Sequence, residues 1–512
     1  MMLNRSYGLL VVVLALCLPG ISQQSNTAEQ PALTIYNANF AVVRQNIPLD
    51  LKAGTNRVSF TDATAHIEPD SVILRDPTGR RTLQILEQNY RNDPVSQELL
   101  LSLNEGKTID FQVDHVDAQG QKHTEIVQGK IIRSGYVPHD SAMGQYDQQY
   151  QLQQAAYARE TSQPIIEVNG KLQFTLPGLP LFPTLGQDTI LKPALNWVLQ
   201  TDRGGNSTAE LSYVTGGMSW HADYNIMSPP KGDTLELVGW VTIDNQSGKE
   251  FDNARIKLMA GDVNKVTPEV RSYAYLSTNG AADSVVQPPV SEKAFDEYHL
   301  YTLERSTTLH DRETKQVEFV AAGGIKSQRL YVYSGAAIDN RYGYYNYDQI
   351  RNDQNYGTQS NPKVWVMQEF KNSKANNLGM PLPKGRMRFY RRDDDGQVEF
   401  TGENTIDHTP ADETVRVKTG NAFDIVGERK RANYRIDANR RFLDESFEIK
   451  VRNHKKEAVE VRVVERLYRW TNWEIQQKSD DYNKLDSQSV EFRVQVPPDG
   501  EKVVTYTVHY SW

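Results

Sequence analysis

The chain has 512 residues, with 57 Lys and Arg against 65 Asp and Glu and a formal net charge of −8. Such a length exceeds what one core fills and predicts several domains, while the acidic balance argues against a general nucleic-acid binder, which would carry a basic stripe. Hydrophobic residues at 38% and charged residues at 24% are ordinary globular values, which excludes a chain disordered throughout.

The first residues follow the pattern of a secretory signal. Arg5 gives a positive start, Leu9 to Leu18 form a short apolar run, and Gly20 and Ser22 supply small residues for a cut after Ser22. Residues 1–22 are therefore read as a signal peptide, and the mature chain as periplasmic or extracellular. The apolar run is shorter than the roughly 20 residues a membrane helix needs, and no later run approaches that length. The single cysteine, Cys17, lies inside this signal. A lipoprotein would be cut before it, but Leu16 stands where a small residue is normal, which argues against lipid anchoring. Cleavage leaves no thiol for disulfides, metal ligation or nucleophilic catalysis.

From residue 31 onward the pattern is β. In LTIYNANFAVVRQNIPLDLKAGTNRVSF, Ile35, Val42, Leu49 and Leu51 mark strands, and Lys52 to Asn56 mark a turn. With SVILRD this gives a small N-terminal β domain over 31–91. Short strands cut by polar turns over 99–136 predict a small barrel or a meander. Residues 137–163 are rich in Gln, Tyr and Ala and read as a linker or short exposed helix. LPGLPLFPTLG at 176–186 is cut by prolines and reads as extended chain covering a sheet edge.

Two immunoglobulin-like sandwiches are then expected, over 164–335 and 363–512. Between Leu211 and Asn264, period-two segments such as Leu235, Leu237, Val241 and Ile243 are separated by Gly- and Pro-rich turns. VTIDNQSGKEFDNARIKL (241–258) resembles IKVRNHKKEAVEVRVVERL (449–467), which suggests an internal repeat. In both a strand ends at an asparagine, Asn245 or Asn453. Residues 336–362 form a Tyr/Asn-rich loop between the sandwiches. The fold class is thus mainly β, as serial β domains.

Several long stretches resemble one group. WVTIDNQSGKEFDNARIKLMAGDV and, more closely, LGMPLPKGRMRFYRRDDDGQVEFTGENTIDHTPADETVRVKTGNAFDIVGERK (378–430) are similar to the C-terminal domain of the mucoidy inhibitor A-like proteins, a bacterial domain of unknown function. LTIYNANFAVVRQNIPLDLKAGTNRVSF and IEPDSVILRD are similar to the small N-terminal domain that accompanies it. The resemblance implies β-sandwiches and a bacterial envelope setting. It brings no activity, cofactor or catalytic residue. Relatives commonly carry a coiled coil between the two parts; here the short Gln/Tyr/Ala segment takes that place.

Signs of chemistry are sparse. None of the 10 histidines forms a zinc-helix spacing, and nucleophile-elbow and phosphate-loop patterns are absent. The best catalytic candidate is GENTIDHTPADE (402–413), with Glu403, Asp407, His408, Asp412 and Glu413. There Asp407 would orient His408 as a base, and the acids would hold a hard cation. The plainer reading is a strand connection whose side chains satisfy the backbone. Asp393-Asp394-Asp395-Gly396 reads as a hairpin turn rather than a calcium loop, because its carboxylates are adjacent instead of alternating. Trp220 and Tyr224 offer an aromatic platform, although core packing is the commoner fate of such a pair. Tyr342, Tyr344, Tyr345 and Tyr347 are the better exposed aromatics, alternating with residues that bury poorly.

The sequence is therefore read as a non-catalytic scaffold or binding protein of the bacterial envelope. Its partner would be an envelope protein or polysaccharide, met by the Tyr loop, and it needs no cofactor, metal or nucleic acid. The alternative is a hydrolase-like enzyme or metal-dependent carbohydrate binder using Asp407, His408 and Glu413.

Overall fold

The computed structural model describes residues 30–92, 95–116, 120–136, 163–184, 190–261, 263–265, 290–295, 297–337, 345–439 and 441–512. The expected signal peptide and Cys17 lie outside these residues, as does the expected linker up to residue 162. The protein is mainly β; the described residues form four sheets, none of which closes into a barrel.

Two sheets face each other over the first core. One carries Ala32–Tyr36, Phe40–Leu51, Gly205–Gly216, Phe251–Ala260 and Tyr298–Leu303. The other carries Met218–Ser228, Thr234–Asn245, Gly385–Arg392 and the first half of Glu313–Tyr333. Alternation sends Leu33, Ile35, Val43, Leu211, Ile256 and Leu258 inward from the first sheet, and Trp220, Tyr224, Leu237, Val241, Phe319 and Phe389 from the second. Residues 31–91 share these layers. Ala32–Tyr36 pairs in parallel with Phe251–Ala260, and Phe40–Leu51 pairs with Gly205–Gly216. Gly54–Phe60 and Leu83–Arg91 flank Ala194–Thr201 in a three-stranded sheet whose Trp197 enters the same core.

The region expected as a barrel or meander is an open five-stranded sheet led in by a helix, Gln97–Leu103. Ser96 caps that helix by accepting from the Leu99 N–H at 3.1 Å, and Leu101 buries against Phe111, Ile131 and Ile166. Leu179–Leu181 pairs with the edge strand Thr108–Val116, which places the proline-cut apolar segment over a sheet edge.

Three strands among the described residues link the two sandwiches; one, Lys363–Lys371, lends Phe370 to the first core and Val364 to the second. Glu313–Tyr333 is 21 residues long; its earlier part, through Ile325, lends Phe319 and Ile325 to the first core, and its end lends Tyr331 and Tyr333 to the second. Thr414–Ile436, of 23 residues, does the same with Val415 and Val417, then Ile425. The 13-stranded sheet also curls back on itself. The Gly385–Arg392/Val398–Ile406 hairpin turns through the Asp-Gly sequence, where Gly396 adopts φ 87° and donates to the Asp393 carbonyl at 3.0 Å. Its outer strand then lies against Thr414–Ile436, with Asn404 Nδ2 donating to the Lys418 carbonyl at 3.2 Å.

The internal repeat has a physical basis. Asn245 is fully buried, and its Nδ2 donates to the carbonyls of Lys249 at 2.9 Å and His310 at 3.0 Å. Its Oδ1 accepts from the Ser247 N–H at 3.1 Å. Asn453 repeats each role: Nδ2 to the carbonyls of Glu457 at 2.8 Å and Pro497 at 3.0 Å, Oδ1 from the Lys455 N–H at 3.0 Å. Each asparagine satisfies the turn that follows its strand and the strand end alongside, a task an apolar residue cannot do.

Burial holds the phenols of Tyr224, Tyr301, Tyr506 and Tyr510 well above their ordinary value of 10.0. The folded state keeps those protons where the unfolded chain releases them. Stability is accordingly full below about pH 10 and falls as pH rises beyond it. Denaturation midpoints measured from pH 8 to 11 should show this decline; a flat profile contradicts it.

Candidate functional site

The 402–413 segment is fastened to residues 382–384. Thr409 and Leu382 exchange backbone hydrogen bonds of 2.8 and 2.9 Å. The His408 Nδ1 accepts from the Lys384 N–H at 3.1 Å, and the Asp407 Oδ1 accepts from the His408 N–H at 3.0 Å. The Lys384 ammonium lies 4.0 Å from that carboxylate. Glu413 is exposed and contributes its carbonyl, which accepts from Asn372 N–H at 2.7 Å. Asp412, also exposed, takes the left-handed conformation at φ 65°. Among the described residues no group of three or more His, Cys, Asp or Glu is placed to hold a metal ion, so Asp407, His408 and Glu413 form none.

Glu403 belongs to a different group. It lies 3.5 Å from Arg388, which reaches the buried Asp223 at 3.3 Å. Arg386 and His221 also meet Asp223, at 3.4 and 3.2 Å. Three half-exposed cations or potential cations thus share one buried carboxylate on the sheet's outer face. Trp220 and Tyr224, on the same strand, point the other way: the Trp220 Nε1 donates to the Met259 carbonyl at 3.2 Å and the Tyr224 hydroxyl to that of Pro383 at 2.6 Å. Neither is a platform.

Tyr342 and Tyr344 lie outside the described residues. The described part of the Tyr/Asn loop from residue 345 onward is built into the second sandwich. Asn346 opens the helix Tyr347–Asn352 with a capping box: its Oδ1 accepts from the Gln349 N–H and the Gln349 Oε1 accepts from the Asn346 N–H, both at 2.9 Å. Tyr345 stacks on Tyr356 at 6.1 Å and donates to Asp353 at 3.2 Å. Tyr356 is buried and packs edge-on against Tyr468 at 5.3 Å.

Two buried arginines hold this segment down. Arg469 donates to the carbonyls of Ile350 at 2.6 Å, Asp353 at 2.7 Å and Tyr356 at 3.1 Å, and grips Glu445 through two bonds of 2.9 and 3.1 Å. Arg429 binds Glu465 through Nε at 2.8 and 3.0 Å and gives Nη1 to the Gly357 carbonyl at 2.8 Å. Burial works against the charge on both guanidiniums, but the paired glutamates outweigh it and hold them above the usual arginine range. The signal in the sequence was an arginine or glutamate at alternating positions that should face inward, which reads as an error until a partner is seen.

Above the clamp sits an aromatic face. The Tyr347 ring, 72% exposed, stands edge-on to Trp470 at 5.7 Å and 86°. Trp470 covers the Arg351 guanidinium at 3.6 Å, and Trp512 lies 5.2 Å from the same group. Such stacking fixes the rings before any ligand arrives, so little side-chain entropy is lost on binding.

Residues 209–512 match the family described as a domain of unknown function (DUF4139). No curated protein matches the chain.

Proposed function

We propose that this chain, which belongs to the DUF4139 family, works as a non-catalytic binding protein that meets its partner through the aromatic face of the second sandwich. The observation that carries this reading is the exposed Tyr347 ring, held by Trp470 over the stacked Arg351. Rigid aromatics with a polar rim are the residues from which protein interfaces draw most of their energy. The closer kinship with the mucoidy inhibitor A-like proteins is supported by residues 378–430 and by the N-terminal stretch at 33–60. Export to the envelope is supported by Arg5, the apolar run from Leu9 to Leu18, and the small residues Gly20 and Ser22. No helix among the described residues is long and apolar enough to cross a membrane.

The test uses point substitutions, because deleting 340–362 would remove the buried Tyr356 and the carbonyls that Arg469 and Arg429 require. The full chain and its Tyr347→Ala/Trp470→Ala variant serve as bait in envelope extract. The variant is expected to keep its far-ultraviolet spectrum and to lose the captured partner. Identical captured proteins would sink the reading.

A further inference from the structure

The outer face of the sheet that carries the N-terminal strand holds a groove of about 670 Å³. Strand register places its side chains in rows. Arg255, Ala32, Arg44, Ser212 and Ile73 stand side by side across five strands, and Thr302, Lys257, Thr34 and Val42 form the next row. Neighbouring strands lie about 4.8 Å apart, and residues two apart on one face about 7 Å, so Arg44 and Arg255 flank Ala32 at roughly 10 Å and Lys257 follows Arg255 at about 7 Å. Ala32 and Thr34 are small, which leaves the hollow between the two cationic walls.

The charges in this groove are unbalanced. Arg75 is neutralised by Glu210 at 2.6 Å. Arg44, Arg255 and Lys257 have no side-chain hydrogen bond or ion pair among the described residues, and the one remaining acid of the lining is Glu304. In a chain with 65 acids and 57 bases, three adjacent cations that share the single acid Glu304 carry an excess of positive charge and repel one another at some cost to the fold. That arrangement suits an anionic occupant, and the hydroxyls of Thr34, Ser212 and Thr302 offer neutral donors beside the guanidiniums.

We infer that this groove is a binding site for a polyanion whose oxyanion groups, carboxylate or phosphate, are gripped by Arg44, Arg255 and Lys257. It is independent of the aromatic face, which belongs to the other core. The test is isothermal titration of the full chain with inorganic tripolyphosphate in one arm and citrate in the other, at 50 and 200 mM salt. At least one probe is expected to bind at 50 mM salt and to weaken at 200 mM as ion contacts are screened. The arm that binds more tightly identifies the oxyanion. Arg44→Gln/Arg255→Gln should lower that affinity tenfold or more while raising the melting temperature, because relief of repulsion is the reverse of losing a structural contact. No binding of either probe, unchanged affinity in the double variant, or a lower melting temperature would each overturn the inference. Tyr347→Ala/Trp470→Ala should leave the polyanion affinity unchanged, which separates this site from the proposed interface.

Discussion

Arg469→Ala should lower the stability of the second sandwich by about 3 to 5 kcal/mol, the usual cost of removing one member of a buried ion pair. The substitution strands the Glu445 carboxylate, which is fully buried and, among the described residues, keeps only the Arg431 ion pair at 3.3 Å. It also strips the donor from the carbonyls of Ile350, Asp353 and Tyr356. Many buried pairs can be replaced by apolar residues of similar volume at little cost. Arg469→Met/Glu445→Leu should not recover stability in that way, because the carbonyls of Ile350 and Tyr356 lose the Arg469 donor at about 1 to 3 kcal/mol each, while that of Asp353 still accepts from the Tyr356 N–H at 3.2 Å. Urea denaturation followed by tryptophan fluorescence, to which Trp470, Trp473 and Trp512 contribute from this region, measures both variants. A loss under about 1 kcal/mol for Arg469→Ala would show that the clamp is dispensable.

The second large effect is expected at Gly402. This residue sits where the outer hairpin strand lies against Thr414–Ile436, and the register shifts there between Phe389 and Tyr390. Its φ of 148° suits glycine, and an added Cβ would lie 1.9 Å from the Thr419 carbonyl oxygen. Backbone on both sides cannot swing aside as a flexible side chain does. Gly402→Ala should therefore cost about 3 kcal/mol or more, combining conformational strain with overpacking. Gly396→Ala, at the hairpin tip, meets nothing within 4 Å and serves as the control; it carries only the strain of φ 87°. Equal melting temperatures for the two variants would dismiss the close approach as a determinant.

Local patterning was readable in the sequence. Leu235, Leu237, Val241 and Ile243 alternate in the text and line the first core in space. The Asp-Gly turn, the covering role of Leu179–Leu181 and the mainly β class follow from equally short-range signals. Long-range pairing left no such trace. Nothing near Ala32 announces Arg255 as its neighbour, and nothing in Glu313–Tyr333 says that one strand serves two cores. The buried charges were hidden for a related reason. Arg469 and Glu445 look like solvated residues until the fold brings them together, since a charge tolerates burial only beside its partner. At the candidate sites, Asp407 and His408 are neighbours in sequence, and each side chain accepts from a backbone N–H. The carboxylate that gathers side chains from several strands is Asp223, which stands alone in its stretch.

The parallel pairing of Ala32–Tyr36 with Phe251–Ala260 sets the order in which the protein can assemble. The two strands lie roughly 220 residues apart in the chain, so their pairing has to close a very long loop, and such non-local contacts form late. Until it closes, the first strand has only the adjoining Phe40–Leu51 beside it, and a lone hairpin is marginal in water. Its open side is the place where another unfolded chain would add, so slow closure of this pair exposes the protein to misassembly at that edge.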